Sequence, residues 1–456
     1  MPKPSIMLFS VLSTFAVLPI LPLTSARLLP RNPNTKITTT KAPAFKRASD
    51  IAVSENVLTL AKKSSVGSNA RSAAKLRGIE IPTGNSTTLI SLFEGEEFAT
   101  NITFGSQTFE VIVDTGSSDT WLAETGFDCV DIETSAPLNE SDCYFGPTYT
   151  PGSEFVQIPN ENFNITYGDG EFLTGVLGYD EVTLAGIKVN QTVALVNYAA
   201  WNGDGTTSGL VGLAYPNITS AYAGDNPEAD NSASGKQVVY NPIFTTMYKD
   251  GLVAPLFSLA IERDVSGPAG YLALGGVPPV NFTQDFASTP ILVTSIEGYP
   301  QTYDFYTINI EGAYLNGKAI SGAAAPTYIV DSGTTLNYFP TRVANAINKA
   351  FKPPAVYYED EGAYVVSCTA TPPVLGIKIG GKVFYTNPLD MILLAGTDDA
   401  GNDVCISGID DGGSDAEEDV YILGDTFQKN VVTVFDIGAG ELKFAARENY
   451  TSNDTY

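Results

Sequence analysis

The chain has 456 residues, which on a prior of roughly 150 residues per domain suggests two domains or one large bilobed one. It carries 51 acidic and 25 basic side chains and no histidine, for a formal charge of −26. That balance argues against phosphate backbones and anionic membrane surfaces as partners. The missing imidazole removes Ser-His-Asp and Cys-His hydrolysis in their ordinary forms, and with them the usual zinc sites. With 42 Gly, 28 Pro, 23 Tyr and 23 Phe, and apolar runs that are short and mostly β-branched or aromatic, many strands joined by tight turns are expected. The fold class read from this is mainly β.

Residues 1–26 hold a lone Lys3, an apolar stretch from Ile6 to Leu23 broken by Pro19 and Pro22, and "TSA" at 24–26. This is the pattern of a secretory signal with a small-residue cleavage site. Residues 27–77 carry 11 Lys or Arg against only Asp50 and Glu55, whereas from residue 78 onward 13 bases face 49 acids, a balance of −36. A basic segment before an acidic body reads as a detachable propeptide whose cations dock on that body. Within it, "SDIAVSENVLTLAKK" offers an N-cap at Ser49 or Asp50 and apolar spacing compatible with a helix. Lys62 or Lys63 is the candidate to reach an active-site carboxylate pair. The mature chain is expected to start between Gly78 and Gly84, after Arg77.

The next signal is "VIVDTGSSDTW" at 111–121, in which three β-branched aliphatics run into Asp114. It returns as "YIVDSGTTLNY" at 328–338, and each copy is followed by an apolar-apolar-Gly marker, "GLVGLA" at 209–214 and "YILGDT" at 421–426. Matched order at matched spacing implies two homologous lobes, and packing them about a pseudo-twofold axis brings Asp114 and Asp331 face to face. Gly116 and Gly333 let the backbone turn and offer amide donors to the carboxylates. Thr115 and Ser332 are placed to bond across the axis, and Ser117 and Thr334 to donate to the outer carboxylate oxygens. Two acids this close share one proton. One then serves as base towards a water between them while the other polarises a carbonyl.

These strings, together with "ITYGDG" at 165–170, resemble the pepsin-like aspartic endopeptidases of the secreted fungal acid protease type, from about residue 90 to the end. The resemblance implies a bilobal pepsin-like fold of two β-barrel-like lobes about a pseudo-twofold axis with a cleft between. Residues 78–266 would form the N-terminal lobe and 267–456 the C-terminal lobe. It implies Asp114 and Asp331 as the catalytic pair, residues 162–182 as a flap over substrate with Tyr167, Gly168 and Asp169 near its tip, and Trp121 as the indole partner of the flap tyrosine. Asp169 would help accept a basic substrate side chain. Glu171 stands where the family more often has a small hydroxyl residue, and the loop 127–143 is longer than in pepsin itself.

The expected function is a secreted acid endopeptidase made as a zymogen, preferring hydrophobic or aromatic residues around the cut. No cofactor or metal is needed. The partners are polypeptide substrates and its own propeptide as intramolecular inhibitor, without nucleic acid or a stable membrane anchor, in a monomer. It would be extracellular, with a vacuolar destination as the alternative. The polar "ENYTSNDTY" at the C-terminus lacks a lipid-anchor tail. Of the three possible pairings of four cysteines, proximity favours Cys129–Cys143 and Cys368–Cys405. Nine Asn-X-Ser/Thr strings, at Asn85, Asn101, Asn139, Asn164, Asn190, Asn217, Asn281, Asn449 and Asn453, are glycosylation candidates. The acidic run 408–420 lacks EF-hand spacing and is expected to be a solvated loop.

Overall fold

In the computed structural model the residues described are 38–41, 51–63, 97–167, 170–230, 236–262, 269–283, 285–295, 302–324, 326–358, 363–397, 401–414 and 421–447. The signal segment, the expected processing site, Asn85, Asn449, Asn453, Gly168 and Asp169 lie outside them. The described residues are mainly strand, with short helices at Ile243–Lys249, Thr341–Asn348 and Asp425–Gln428.

The strands of the first half are β1 (Thr38–Lys41), β2 (Asn56–Lys63), β3 (Glu97–Phe104), β4 (Gln107–Asp114), β5 (Thr120–Cys129), β6 (Val156–Thr166), β7 (Phe172–Leu184), β8 (Ile187–Ala200), β9 (Gly209–Gly212) and β10 (Ala221–Ala223). The β3–β4 hairpin turns through Gly105 at φ 55°, the left-handed conformation that glycine adopts without a Cβ clash. Along β4, Phe109, Val111 and Val113 enter the main core while Ile112 enters a second cluster beneath β6 and β7. Apolar side chains on both faces fix the strand rigidly just where it delivers Asp114.

A sheet of 14 strands runs in the order β10-β6-β7-β8-β5-β9-β4-β3-β2, then Gly270–Leu274, Leu256–Ile261, Val431–Asp436, Glu441–Ala446 and Ala287–Pro290. The first nine belong to the first half of the chain, and the last five carry the sheet into the second. Within these five strands Phe257 stacks on Phe435 at 4.6 Å, and Tyr306 meets Phe435 at 4.6 Å. One apolar cluster therefore runs continuously from Phe98 and Val113 to Val330 and Phe444.

The basic segment departs from expectation. Residues 56–63 form strand β2, not a helix, paired antiparallel with Gly270–Leu274 on one edge and with β3 on the other. Leu58 and Leu60 are two residues apart and face one side, with Thr59 turned out, so the strand period of two wins over the helical spacing. Lys62 and Lys63 pair with Phe98 and Glu97 through the backbone, and their side chains are outside the described set. Further upstream, β1 pairs antiparallel with Leu292–Ser295.

The acidic run 408–420 also departs in part. Ile409–Asp411 is a strand paired with Asn337–Phe339, and Asp410 is buried, because the register carries it into the sheet that supports Asp331. Among the described residues no helix is long and apolar enough to cross a membrane.

Candidate active site

Asp114 ends β4, and Asp331 follows the strand Thr327–Val330. Both strands are locked in the same way. β4 pairs in parallel with β9 at Val113↔Val211 and Asp114↔Gly212, and Thr327–Val330 pairs in parallel with Ile422–Leu423 at Val330↔Leu423. The apolar-apolar-Gly markers are thus the strands that clamp each aspartyl loop.

The two loops interlock. The Thr115 hydroxyl donates to Val330 O at 3.2 Å and accepts from the Ser332 N–H at 2.9 Å. The Ser332 hydroxyl donates to Val113 O at 2.9 Å and accepts from the Thr115 N–H at 3.2 Å. Four reciprocal bonds, all buried, fix the loops against each other. Gly116 N–H donates to Asp114 Oδ1 at 2.7 Å, and Gly333 N–H to Asp331 Oδ1 at 2.9 Å. The outer oxygens accept from Ser117 Oγ at Asp114 and from Thr334 Oγ1 at 2.7 Å at Asp331.

Each glycine also serves the opposite loop. A Cβ on Gly116 would come within 2.5 Å of Asp331 Oδ2, and one on Gly333 within 2.5 Å of Asp114 Oδ1. The carboxyl groups approach each other only because both positions lack a side chain.

Burial, then the charge of Asp331, pushes the Asp114 carboxyl well above the ordinary carboxylate range, against the bonds from Ser117 and Gly116. Asp114 is buried while Asp331 is half-buried, so the environments of the two acids differ. Asp425, directly after the marker Gly424, is fully buried, and among the described residues neither carboxylate oxygen has a hydrogen-bond partner. Burial, with Asp331 and Asp114 behind it, raises its carboxyl well above the ordinary range. This third acid stands in "YILGDT", where the sequence alone marks only the apolar-apolar-Gly strand. Its position after Gly424, where the first half has Leu213, was the available signal.

The segment 162–182 forms the β6–β7 hairpin, paired Thr166↔Phe172. Tyr167, just past β6, accepts a hydrogen bond on its hydroxyl from Trp121 Nε1 at 2.8 Å. Trp121 meets Trp201 edge-on at 5.3 Å, and Trp201 stacks on Phe145 at 5.9 Å. Phe145 lies just past the Cys129–Cys143 disulfide, so the lengthened loop delivers an aromatic side chain to the floor beneath the hairpin. Glu171 is buried and accepts the Asn202 N–H at 2.6 Å, which holds its carboxylate at the turn end of the hairpin. Trp201 and Phe145 escaped the sequence reading because aromatic contacts between distant segments leave no periodic trace.

Cys129–Cys143 and Cys368–Cys405 are bonded, with Cα atoms 5.9 and 5.2 Å apart. Of the sequon asparagines, Asn101, Asn139, Asn190 and Asn281 are exposed. Asn164 Nδ2 donates to Pro227 O at 2.8 Å. Asn217 Nδ2 donates to Thr302 Oγ1 and to Tyr303 O at 3.1 Å.

This arrangement agrees with what the chain is similar to. The family model described as eukaryotic aspartyl protease matches residues 97–447. A probable aspartic-type endopeptidase of Aspergillus fumigatus is 49% identical over 428 residues, covering 92% of this chain and 95% of that protein. Pepsin-3 of Oryctolagus cuniculus is 30% identical over 373 residues, covering 79% and 83%. An aspartic proteinase from Irpex lacteus has a similar solved structure, with a TM-score of 0.60 at 20% identity over 79% of this chain and 96% of that one, a likeness of fold. The chain belongs to the eukaryotic aspartyl proteases and is a peptide-bond hydrolase of the aspartic endopeptidase type.

Proposed function

We propose that the protein is a secreted acid endopeptidase, made as a zymogen, in which Asp114 and Asp331 are the catalytic pair. The observation that carries this reading is the reciprocal lock of Thr115 and Ser332, which presents the two carboxyl groups to one another across two glycines. The pair holds one proton between its members, because two carboxylates in contact do not both ionise at ordinary cost. The ionised member takes a proton from a water lying between them as that water attacks the scissile carbonyl. The protonated member donates to the carbonyl oxygen. Collapse of the tetrahedral intermediate breaks the C–N bond as the nitrogen takes the proton that the first member received from the water, one hydroxyl of the intermediate returns its proton to the other member, and no covalent intermediate with the protein forms.

An extended peptide lies beneath the 162–182 hairpin, with backbone bonds supplying affinity and side-chain pockets supplying choice. The aromatic floor of Trp121, Phe145 and Trp201 supports hydrophobic or aromatic residues flanking the cut. Asp169 serves a basic side chain. Thr115, Gly116, Ser117, Ser332, Gly333 and Thr334 orient the pair.

The basic segment 27–77 acts as propeptide and intramolecular inhibitor. Its strand β2 bears on how it leaves, since five paired residues with Gly270–Leu274 and three with β3 hold it in the central sheet. Cutting the chain near Gly78–Gly84 does not free it, and dissociation requires that sheet to open. The leader, the two disulfides and the sequons support secretion, outside the cell or into a vacuole.

The test is incubation of the processed protein with a denatured protein at about pH 4, near the reference carboxylate values, beside the Asp331→Asn variant. Cleavage by the first and a loss of about 10²–10⁴-fold or more in the second is expected. Equal turnover by both would overturn the assignment.

A further inference from the structure

Asp119 is a buried acid that the hydrolytic reading leaves unused. It has no exposure, and the Ser220 N–H donates to both of its carboxylate oxygens at 3.0 Å. Tyr240 donates its hydroxyl to Oδ1 at 2.5 Å. Two residues further on stands Trp121, the indole partner of Tyr167.

Tyr240 lies in the segment that joins β10 to the helix Ile243–Lys249, three residues before the helix begins. The start of that segment is fastened to the hairpin strand β6. Asn162 Nδ2 donates to Gly224 O at 2.8 Å and Asn164 Nδ2 to Pro227 O at 2.8 Å, while Gln237 Nε2 donates back to Thr219 O at 2.8 Å. Tyr240, Tyr167, Trp121 and Trp201 share one apolar cluster. The segment therefore grips the outer strand of the hairpin at one end and the floor beneath its tyrosine at the other.

We propose that the described residues 224–230 and 236–240 position the flap, the first by holding β6 and the second by the Tyr240–Asp119 hydrogen bond as a fastening at the floor. Tyr240 and Asp119 are positioning residues, acting on substrate through Trp121 and Tyr167. The proposal rests on residues 162–182 being the flap.

The fastening is suited to acid. Burial raises the Asp119 carboxyl to about 6, against the bonds from Tyr240 and Ser220 that lower it. The titratable groups facing it are the phenols of Tyr240 and Tyr167, both held neutral by burial, and no Lys or Arg among the described residues offsets its charge. Below about pH 6 the floor is neutral. Above it an uncompensated carboxylate forms under Trp121, and water must enter to solvate it.

The chain has two tryptophans, and both lie in this cluster, so indole fluorescence of the full chain reads the floor without reference to activity. Far-ultraviolet circular dichroism, followed in parallel, marks any global unfolding. The wild type is expected to show an emission change with a midpoint near pH 6 at constant backbone signal. Asp119→Asn should abolish it, and Tyr240→Phe should move it upward, because the phenol bond lowers that value. In the processed enzyme Tyr240→Phe should reduce kcat/KM on a peptide substrate about fivefold at pH 4, as for loss of one hydrogen bond.

A flat wild-type titration, or the same transition in Asp119→Asn, overturns the proposal. So does an unchanged kcat/KM in Tyr240→Phe. Should Asp119→Asn not fold, the direction of the Tyr240→Phe shift decides. Absence of all peptidase activity with the fluorescence behaviour intact would instead count against the proposed function.

Discussion

The Cα of Gly333 faces the carboxyl of Asp114 so closely that a methyl group there would press within 2.5 Å of Oδ1, and Gly116 stands in the same relation to Asp331. Gly333→Ala and Gly116→Ala should each push the two acids apart. An overpacked site of this kind costs about 1–3 kcal/mol of stability, whereas a displacement of about 1 Å at the reacting atoms costs on the order of 100-fold in rate. Measured kcat should therefore fall at least about 100-fold in proteins that still fold, as judged by thermal melting. Activity within a few-fold of wild type would show that the acids do not act as a contact pair.

Trp121→Phe keeps the ring packing on Trp201 but deletes the indole N–H that Tyr167 accepts. A neutral hydrogen bond is worth about 1 kcal/mol net, so kcat/KM is expected to drop about fivefold. The loss should be equal for substrates that differ only outside the residues flanking the cut. Steady-state kinetics on two such peptides checks this.

Stability should decline as pH rises. Burial holds the carboxyls of Asp119 and Asp304 at about 6 and that of Asp410 at about 7, all above the ordinary 3.8. A carboxyl that binds its proton more tightly in the folded state stabilises the fold fully below the unfolded value, near pH 4. That contribution fades as pH climbs through the folded values, here between about 4 and 7. At about 1.4 kcal/mol per pKa unit, Asp119 alone accounts for on the order of 3 kcal/mol. Urea denaturation of the Asp331→Asn chain, which avoids self-digestion, should show a lower midpoint at pH 7 than at pH 4. A midpoint that rises over this interval would contradict the sign.

Glycan occupancy should follow side-chain engagement. Asn217 uses its amide hydrogens on Thr302 and Tyr303, and Asn164 donates to Pro227, so both are expected to be bare in the folded protein. Asn101, Asn139, Asn190 and Asn281 are open to solvent and are the expected carriers. Enzymatic deglycosylation in heavy-oxygen water followed by peptide mass spectrometry distinguishes the two groups.

The aspartyl loops were legible because the same short string occurs twice, each time with its clamping strand at a similar distance. Hydroxyl and glycine positions within three residues of an acid are local chemistry, and local chemistry survives in a sequence. What escaped was set by contacts between remote segments. Asp119 stood inside the quoted motif, yet nothing in "SSDTW" reveals that Tyr240, 121 residues on, would meet it. Strand β2 was misjudged for the same reason: apolar spacing in "NVLTLAKK" suits more than one period, and only two neighbouring strands, one from each half of the chain, decide between them. Asp410 looked solvated because its neighbours are acidic, while the pairing of Ile409–Asp411 with Asn337–Phe339 draws it inside.

Strand β2 has a consequence for how long the working protein lasts. It is a middle rung between Glu97–Phe104 and Gly270–Leu274, so maturation on the proposed scheme discards a piece of the scaffold on which the chain was assembled. The trimmed molecule keeps every catalytic group but not the full instructions for regaining its shape. Once opened by heat or alkali it should stay open, and its durability is then a half-life set by the barrier to opening and not an equilibrium free energy.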